Sequence, residues 1–125
     1  MAASQLGLGN PTDLFWCPIE GGDRKFETLS AGRIGSISTA EQLRRAALDS
    51  DVASVVLRLN SPGGDANASE ALRLEMQQVR DAGKTVVVSM GNVAASGGYW
   101  MSMAADEVWA SPSTITGSIG VFGLL

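Results

Sequence analysis

Histidine is absent from this 125-residue chain, and lysine occurs at only two positions, Lys25 and Lys84. The first absence excludes a Ser-His-Asp relay built from these residues. With a single cysteine beside it, it also excludes the Cys/His clusters that hold structural zinc. That cysteine, Cys17, allows no internal disulfide, so cysteine usage leaves the redox compartment open. It reads as a buried or adventitious thiol, because a nucleophile would need a partner that the sequence does not supply. Basic residues are sparse as well: the net charge is −4 and the isoelectric point is near 4.6, which argues against a nucleic-acid-binding surface. There is no phosphate-loop motif, no internal repeat and no low-complexity tract, and nothing in the pattern implies a cofactor.

Charge is also missing from the whole stretch 85–105, long enough to suggest a membrane span. Gly91, Asn92, Gly97, Gly98 and three serines interrupt it, so a buried strand, turn and helix explain it better. The N-terminal Met1-Ala2-Ala3-Ser4-Gln5 has neither a basic residue nor the apolar core of a signal peptide, so the expectation is a chain with no export signal and no anchor.

What is present is a globular pattern, with 45% hydrophobic residues. Residues 1–35 are broken by Gly7, Gly9, Pro11, Pro18, Gly21, Gly22, Gly32 and Gly35, and only Phe26 to Leu29 hints at a strand. This segment reads as a poorly defined lead-in, and residues 36–125 as the domain proper. Ser38-Thr39-Ala40-Glu41 has capping-box spacing before a short helix with Leu43, Ala46, Ala47 and Leu48. Val52 to Leu59 reads as a strand dense enough in apolar residues for a sheet covered on both faces. Asn67, with Glu70 three residues on, is placed to cap a helix carrying Leu72, Leu74, Met76 and Val79, which ends at Asp81-Ala82-Gly83. Thr85 to Ser89 predicts a strand, Trp100 to Met103 a helix, Glu107 to Ala110 a short strand broken by Ser111-Pro112-Ser113, and Ile119 to Leu125 a further strand. The alternation predicts an α/β fold of layered β-α-β repeats with a mainly parallel sheet. The last run has no turn signal, so the domain is expected to be incomplete.

Two segments carry the chemistry. Ser96 lies in Ala94-Ala95-Ser96-Gly97-Gly98-Tyr99, at a strand-to-helix turn where small neighbours keep the approach to a hydroxyl open. Backbone N–H groups there and at Asn60-Ser61-Pro62-Gly63-Gly64, after the preceding strand, are suited to stabilise an oxyanion. A serine hydroxyl still needs a base. Lys84 opens the strand that leads to Ser96, and five extended residues hold its ends roughly 15 Å apart, so it is rejected as the base in favour of a solvated lysine near a helix C-terminus. Lys25 is not excluded by geometry, but nothing around it reads as a site. The base is expected from outside this chain.

Three segments in order resemble the signal peptide peptidase A family, also called protease IV: residues 56–64, ending Asn60-Ser61-Pro62-Gly63-Gly64; residues 87–100, containing Asn92-Val93-Ala94-Ala95-Ser96-Gly97-Gly98; and residues 112–123, containing Thr116-Gly117-Ser118-Ile119-Gly120. The likeness is to the nucleophile-bearing half, over roughly Ser38 to Leu125; the Ser-Pro-Gly-Gly turn alone is shared with Clp-type and other crotonase-like folds. The resemblance implies a crotonase/Clp-like fold and a Ser-Lys endopeptidase that degrades signal peptides. It matches Ser96 to the nucleophile, Gly64 with Gly97 to the oxyanion hole, and Ser118 to the serine that orients the base lysine. It implies peptide substrates, a lysine-bearing segment or subunit of the same family as partner, a homo-oligomer, and a bacterial inner membrane location facing the periplasm or cell exterior. Residues 1–35 depart from the family.

Taken singly, each of these residues has a plainer reading. A serine in a Gly/Ala turn is usually a packing residue, Gly63 and Gly64 permit a tight turn, and Thr-Gly-Ser is common loop chemistry. Asn92 and Tyr99 read as satisfying the turn in preference to lining a substrate cleft, and Trp100, Met101 and Met103 as core or subunit-contact residues. Two other functions remain in competition: a truncated, inactive remnant or peptide-binding module, and an acyl-CoA enzyme of crotonase type, which would not need a serine at position 96.

Overall fold

A computed structural model describes residues 19–20 and 34–120. Among these described residues nine elements run in order: β1 (Ile19–Glu20), β2 (Ile34–Gly35), α1 (Ser36–Leu48), β3 (Ser54–Ser61), α2 (Ala66–Asp81), β4 (Thr85–Ala95), α3 (Gly97–Ser102), β5 (Glu107–Trp109) and β6 (Ile115–Gly117). Every strand pairing among them is parallel, as the β-α-β alternation predicts. Strand β4 is central. It pairs with β3 along one edge and, along the other, with β5 over Val87–Ser89 and then with β6 over Val93–Ala95. The short β1–β2 pair falls inside the lead-in; Phe26 to Leu29 and the end of the run from Ile119 lie outside the described residues.

Helix α2 forms because Ala68, Leu72, Met76 and Val79 recur at spacings of three and four and are buried on one face. Leu74 stands off that stripe and is about half exposed. The N-cap is Asp65, not Asn67: its carboxylate accepts the Ala68 N–H at 2.7 Å, and Asn67 falls within the first turn. Removing that cap in Asp65→Ala is expected to lower unfolding free energy by about 1 kcal/mol, read as a reduced urea midpoint at an unchanged slope. At the other end, Gly83 adopts φ +82, its N–H reaches Arg80 O at 2.8 Å, and the Lys84 N–H reaches Val79 O at 3.3 Å. This double bond is the Schellman closure that the Asp81-Ala82-Gly83 ending predicts.

Helix α1 starts two residues before the expected capping box, with Gly35 at the cap position and no side-chain cap bond, so Ser38 lies inside the helix. Its buried face is Ala40, Leu43 and Ala46, whereas Leu48 is exposed. It is tied to α2 by Arg44, which donates through Nε at 3.0 Å and through Nη2 to the carboxylate of Glu75, a largely buried group.

The sheet departs from the expectation of cover on both faces. Val55, Leu59, Val86, Val88 and Met90 are buried beneath the helices, but their alternating neighbours are not: Val56 is 52% exposed, and Arg58 lies on the open side with Nη1 donating to Ser89 Oγ at 2.8 Å. The apolar run 55–57 misled because a strand's period of two separates Val56 from Val55 and Leu57 whatever the hydropathy.

Candidate functional site

The site sits where β3 and β4 end side by side. Strand β4 continues past Ser89 to Ala95, six residues further than its apolar run suggests. It does so through a bulge: Leu59 pairs with Met90, but Ser61 pairs with Ala94, so β4 carries two extra residues. Asn60 fills this irregularity, its Oδ1 accepting the Val93 N–H at 3.0 Å, with Gly91 directly against it; a Cβ at Gly91 would lie 2.9 Å from Asn60 Cβ. From the far side Thr114 Oγ1 donates to Gly91 O at 2.9 Å and Thr116 Oγ1 to Ala94 O at 2.8 Å. The last turn of β4 is thus held from both neighbours, and the ends of β3 and β4 stay in step.

Ser96 follows at once. Its φ of 51° and ψ of −121° are a conformation that a side chain makes unfavourable, by roughly 1–3 kcal/mol. Two backbone bonds hold it there: the Ser96 N–H donates to Gly117 O at 2.7 Å, and the Ser96 carbonyl accepts the Trp100 N–H at 2.8 Å. The hydroxyl makes no cap bond to α3 and the residue is partly exposed.

The glycine turn after β3 packs onto this serine. Ser61, fully buried, accepts the Gly63 N–H on its Oγ at 3.1 Å, which folds the turn inward. Gly63 takes φ +102 and meets the serine turn so closely that an added Cβ would lie 2.6 Å from Ser96 Cβ and 2.7 Å from Gly97 N. Gly64, at φ +154, follows on the exposed side. A Cβ on Gly97 would fall 2.1 Å from Ser69 Oγ and 3.5 Å from Gly64 N. Ser96, Gly97 and Gly64 are therefore brought together as the sequence suggests. Ser118 comes with them through its neighbour Gly117, and itself holds φ 52.

Lys84 is not part of this cluster. Its Nζ donates to the carbonyls of Val52, at 2.6 Å, and Asp49, fastening the loop between α1 and β3. All eleven residues of β4 separate it from Ser96, roughly 30 Å along the strand. The solvated lysine of the sequence reading is in fact a clamp. Lys25 lies outside the described residues.

Sequence reasoning passed over Ser69, and named Asn60, Gly63 and Thr116 in their motifs without foreseeing the contacts they make. Ser69 had a signal, a small hydroxyl residue four positions after the cap, where it back-bonds to Asp65 O at 2.8 Å. The others are fixed by contacts between strands far apart in sequence. Of the apolar residues after Ser96, Met101 is core, whereas Trp100 and Met103 are 45% and 48% exposed. Trp100 Nε1 donates to Glu70 Oε2 at 2.6 Å, joining α3 to α2.

Glu70 also takes both Nε and Nη2 of Arg73, at 2.7 and 2.8 Å. The Arg73 bonds first, and the Trp100 bond second, hold its carboxyl down to about 2. A carboxyl depressed on folding adds stability above its unfolded value near 4.5, and that stability is lost as pH falls from there through about 2. Urea midpoints measured from pH 6 to pH 3 should therefore fall more steeply for the wild type than for Glu70→Gln. Parallel curves would remove Glu70 from the acid response.

No helix among the described residues is long and apolar enough to cross a membrane, and no group of three or more His, Cys, Asp and Glu side chains among them is placed to hold a metal ion. A concavity of about 230 Å³ on the open face, lined by Arg58, Ser89, Asn92, Trp109 and Ser111 among others, does not reach Ser96.

Fold and site together define a parallel α/β unit whose strained serine and glycine turn meet at the carboxyl ends of adjacent strands, where open α/β sheets bind ligands. Comparison with known proteins narrows the class. Residues 78–124 match peptidase family S49. Over 94 residues the chain is 58% identical to Protease 4 of Salmonella typhi, across 75% of this chain and 15% of that protein. It is 44% identical over 91 residues to the chloroplastic serine protease SPPA of Arabidopsis thaliana, across 70% of this chain and 13% of that one. A mutant of ClpP1 from Listeria monocytogenes aligns in structure with a TM-score of 0.49 at 20% identity, over 74% of this chain and 47% of that chain. The chain carries a stretch of peptidase family S49 and spans about 15% of the length of the Protease 4 it matches.

Proposed function

We propose that Ser96 is the nucleophile of a serine endopeptidase of the Ser-Lys type. One observation carries the reading most: a serine, not a glycine, occupies the φ 51, ψ −121 position between β4 and α3. A conformation that glycine adopts at lower energy is kept for a hydroxyl residue, and strain of this kind concentrates where a group must be presented.

The hydroxyl attacks a peptide carbonyl and gives its proton to a base, forming a tetrahedral oxyanion. The N–H groups of Gly64 and Gly97 donate to that oxyanion; the closeness of the two turns, in which a Cβ added at Gly97 would lie 3.5 Å from Gly64 N, supports their acting as a pair. Collapse of the intermediate releases the amine, which takes the proton back from the base, and water then cleaves the acyl-enzyme. The base in this reading is a lysine supplied by another segment or subunit; Lys84 does not serve, since it is occupied at the opposite end of β4. Burial in an apolar pocket lowers such a lysine's pKa enough for it to accept a proton. Ser118 orients that lysine, a role supported by the bond that draws Gly117 against Ser96.

The substrates are signal peptides or other membrane-derived peptides, cleaved by an oligomer of S49 chains at the outer face of the bacterial inner membrane. The exposed Val108 and Trp109 of β5, Ile115 of β6 and Ile119 beyond it support assembly with further polypeptide. A fluorogenic signal-sequence peptide tests the reading. Turnover is expected when the chain is mixed with the lysine-bearing half of a Protease 4 relative, and is expected to vanish with Ser96→Ala. Equal turnover by the chain alone would contradict an external base.

A further inference from the structure

Ser69 lies on the buried face of α2, 1% exposed, and belongs to none of the three family-like segments. Its hydroxyl donates to Asp65 O at 2.8 Å, and so holds the carbonyl of the residue that follows Gly64. The same oxygen lies against Gly97, where the space for a Cβ is 2.1 Å from Ser69 Oγ and 3.1 Å from Ser69 Cβ. One side chain thus touches Gly97 and the residue next to Gly64, although these come from turns after different strands. The two turns meet directly at Gly63, and Ser69 adds a second tie between Gly97 and the residue after Gly64. We propose that Ser69 is a positioning residue that sets the separation of the Gly64 and Gly97 amides; the assignment rests on the peptidase reading for its catalytic meaning, but not for its structural content.

Size and hydrogen bonding both matter in this argument. Alanine removes the bond to Asp65 O and the oxygen against Gly97, leaving space into which the Gly97 turn relaxes. Valine replaces the oxygen with a methyl group, adds a second methyl and loses the donor. Cysteine keeps nearly the same shape with a weaker donor. The order of perturbation is therefore expected to be valine, alanine, then cysteine.

The test is amide hydrogen exchange and ¹⁵N–¹H spectra of the whole chain for wild type, Ser69→Ala and Ser69→Cys, with Ser69→Val as the larger perturbation. In Ser69→Ala the Gly64 and Gly97 amides are expected to shift and to exchange on the order of tenfold faster, with Val88 and the rest of β4 unchanged. In Ser69→Cys they are expected to return most of the way to wild type. In the preparation supplied with the lysine-bearing half, kcat should drop by roughly tenfold at nearly constant KM, because displaced donors act on the transition state alone. Unchanged Gly64 and Gly97 amides in Ser69→Ala, or a uniform rise in exchange across α2 and β4, would overturn the proposal. A wild type without turnover would instead sink the peptidase reading, while the amide comparison would still decide whether Ser69 positions the two turns.

Discussion

Glycine in place of Ser96 is expected to make the protein more stable and catalytically dead. The φ 51, ψ −121 backbone penalises any side chain, so Ser96→Gly should raise unfolding free energy by about 1 kcal/mol, seen as a higher urea midpoint. Ser96→Ala keeps a Cβ in the same conformation and should leave stability near the wild-type value. Both variants remove the hydroxyl. Where the base is supplied, loss of the nucleophile should lower kcat on the order of 10⁶-fold, the scale seen when a nucleophile acting as one unit with its base is deleted. The two variants thus separate strain from chemistry. If Ser96→Gly were destabilising, the serine conformation would not be strained, and the main support for presentation of a nucleophile would be gone.

The second large effect belongs to Gly63. In Gly63→Ala the new methyl would sit 2.6 Å from Ser96 Cβ, 2.7 Å from Gly97 N and 2.9 Å from Ala95 O, at a φ of +102. Two of those three contacts are backbone atoms, which cannot rotate aside. Overpacking and left-handed backbone together predict a loss of about 3 kcal/mol. Gly83→Ala is the matched control: its φ is +82, yet nothing lies within 4 Å of the added carbon. It should lose only the conformational part, about 1 kcal/mol, and leave Ser96 reactivity unchanged. A Gly63→Ala variant as mild as Gly83→Ala would mean that the glycine turn does not pack on the serine turn.

Much of this arrangement was legible in the sequence, and the reasons differ by residue. Ser96, Gly97 and Gly64 stand out because small residues cluster after two apolar runs, a local pattern. The helices were visible in the spacing of Leu72, Met76 and Val79, and the end of α2 in Gly83, since those signals lie within one turn of chain. The true cap of α2 was missed because Asp65 and Asn67 are both good caps, and only the position of the first helical turn selects between them. Strand β4 was read too short. Its second half, Gly91 to Ala95, has little strand propensity and is extended because Asn60, Thr114 and Thr116 take up its backbone groups. For the same reason β6 at Ile115–Gly117 was read as loop: its partner is the far end of β4, more than twenty residues back.

Lys84 shows the limit from the other side. Distance along a strand was enough to reject it as a base, and the longer β4 makes that rejection firmer. Its actual task, donating to Asp49 O and Val52 O, depends on where the preceding loop runs, which no local pattern encodes.

The central claim, that Ser96 is a primed nucleophile, is tested most directly by mapping the adduct of a fluorophosphonate probe. The folded chain, with the lysine-bearing half supplied, would be labelled, digested and sequenced by mass spectrometry, beside Ser96→Ala. The account predicts one phosphonyl adduct on the peptide containing Ser96 and none in the variant. An adduct on another serine, or none on folded wild-type protein, would contradict it.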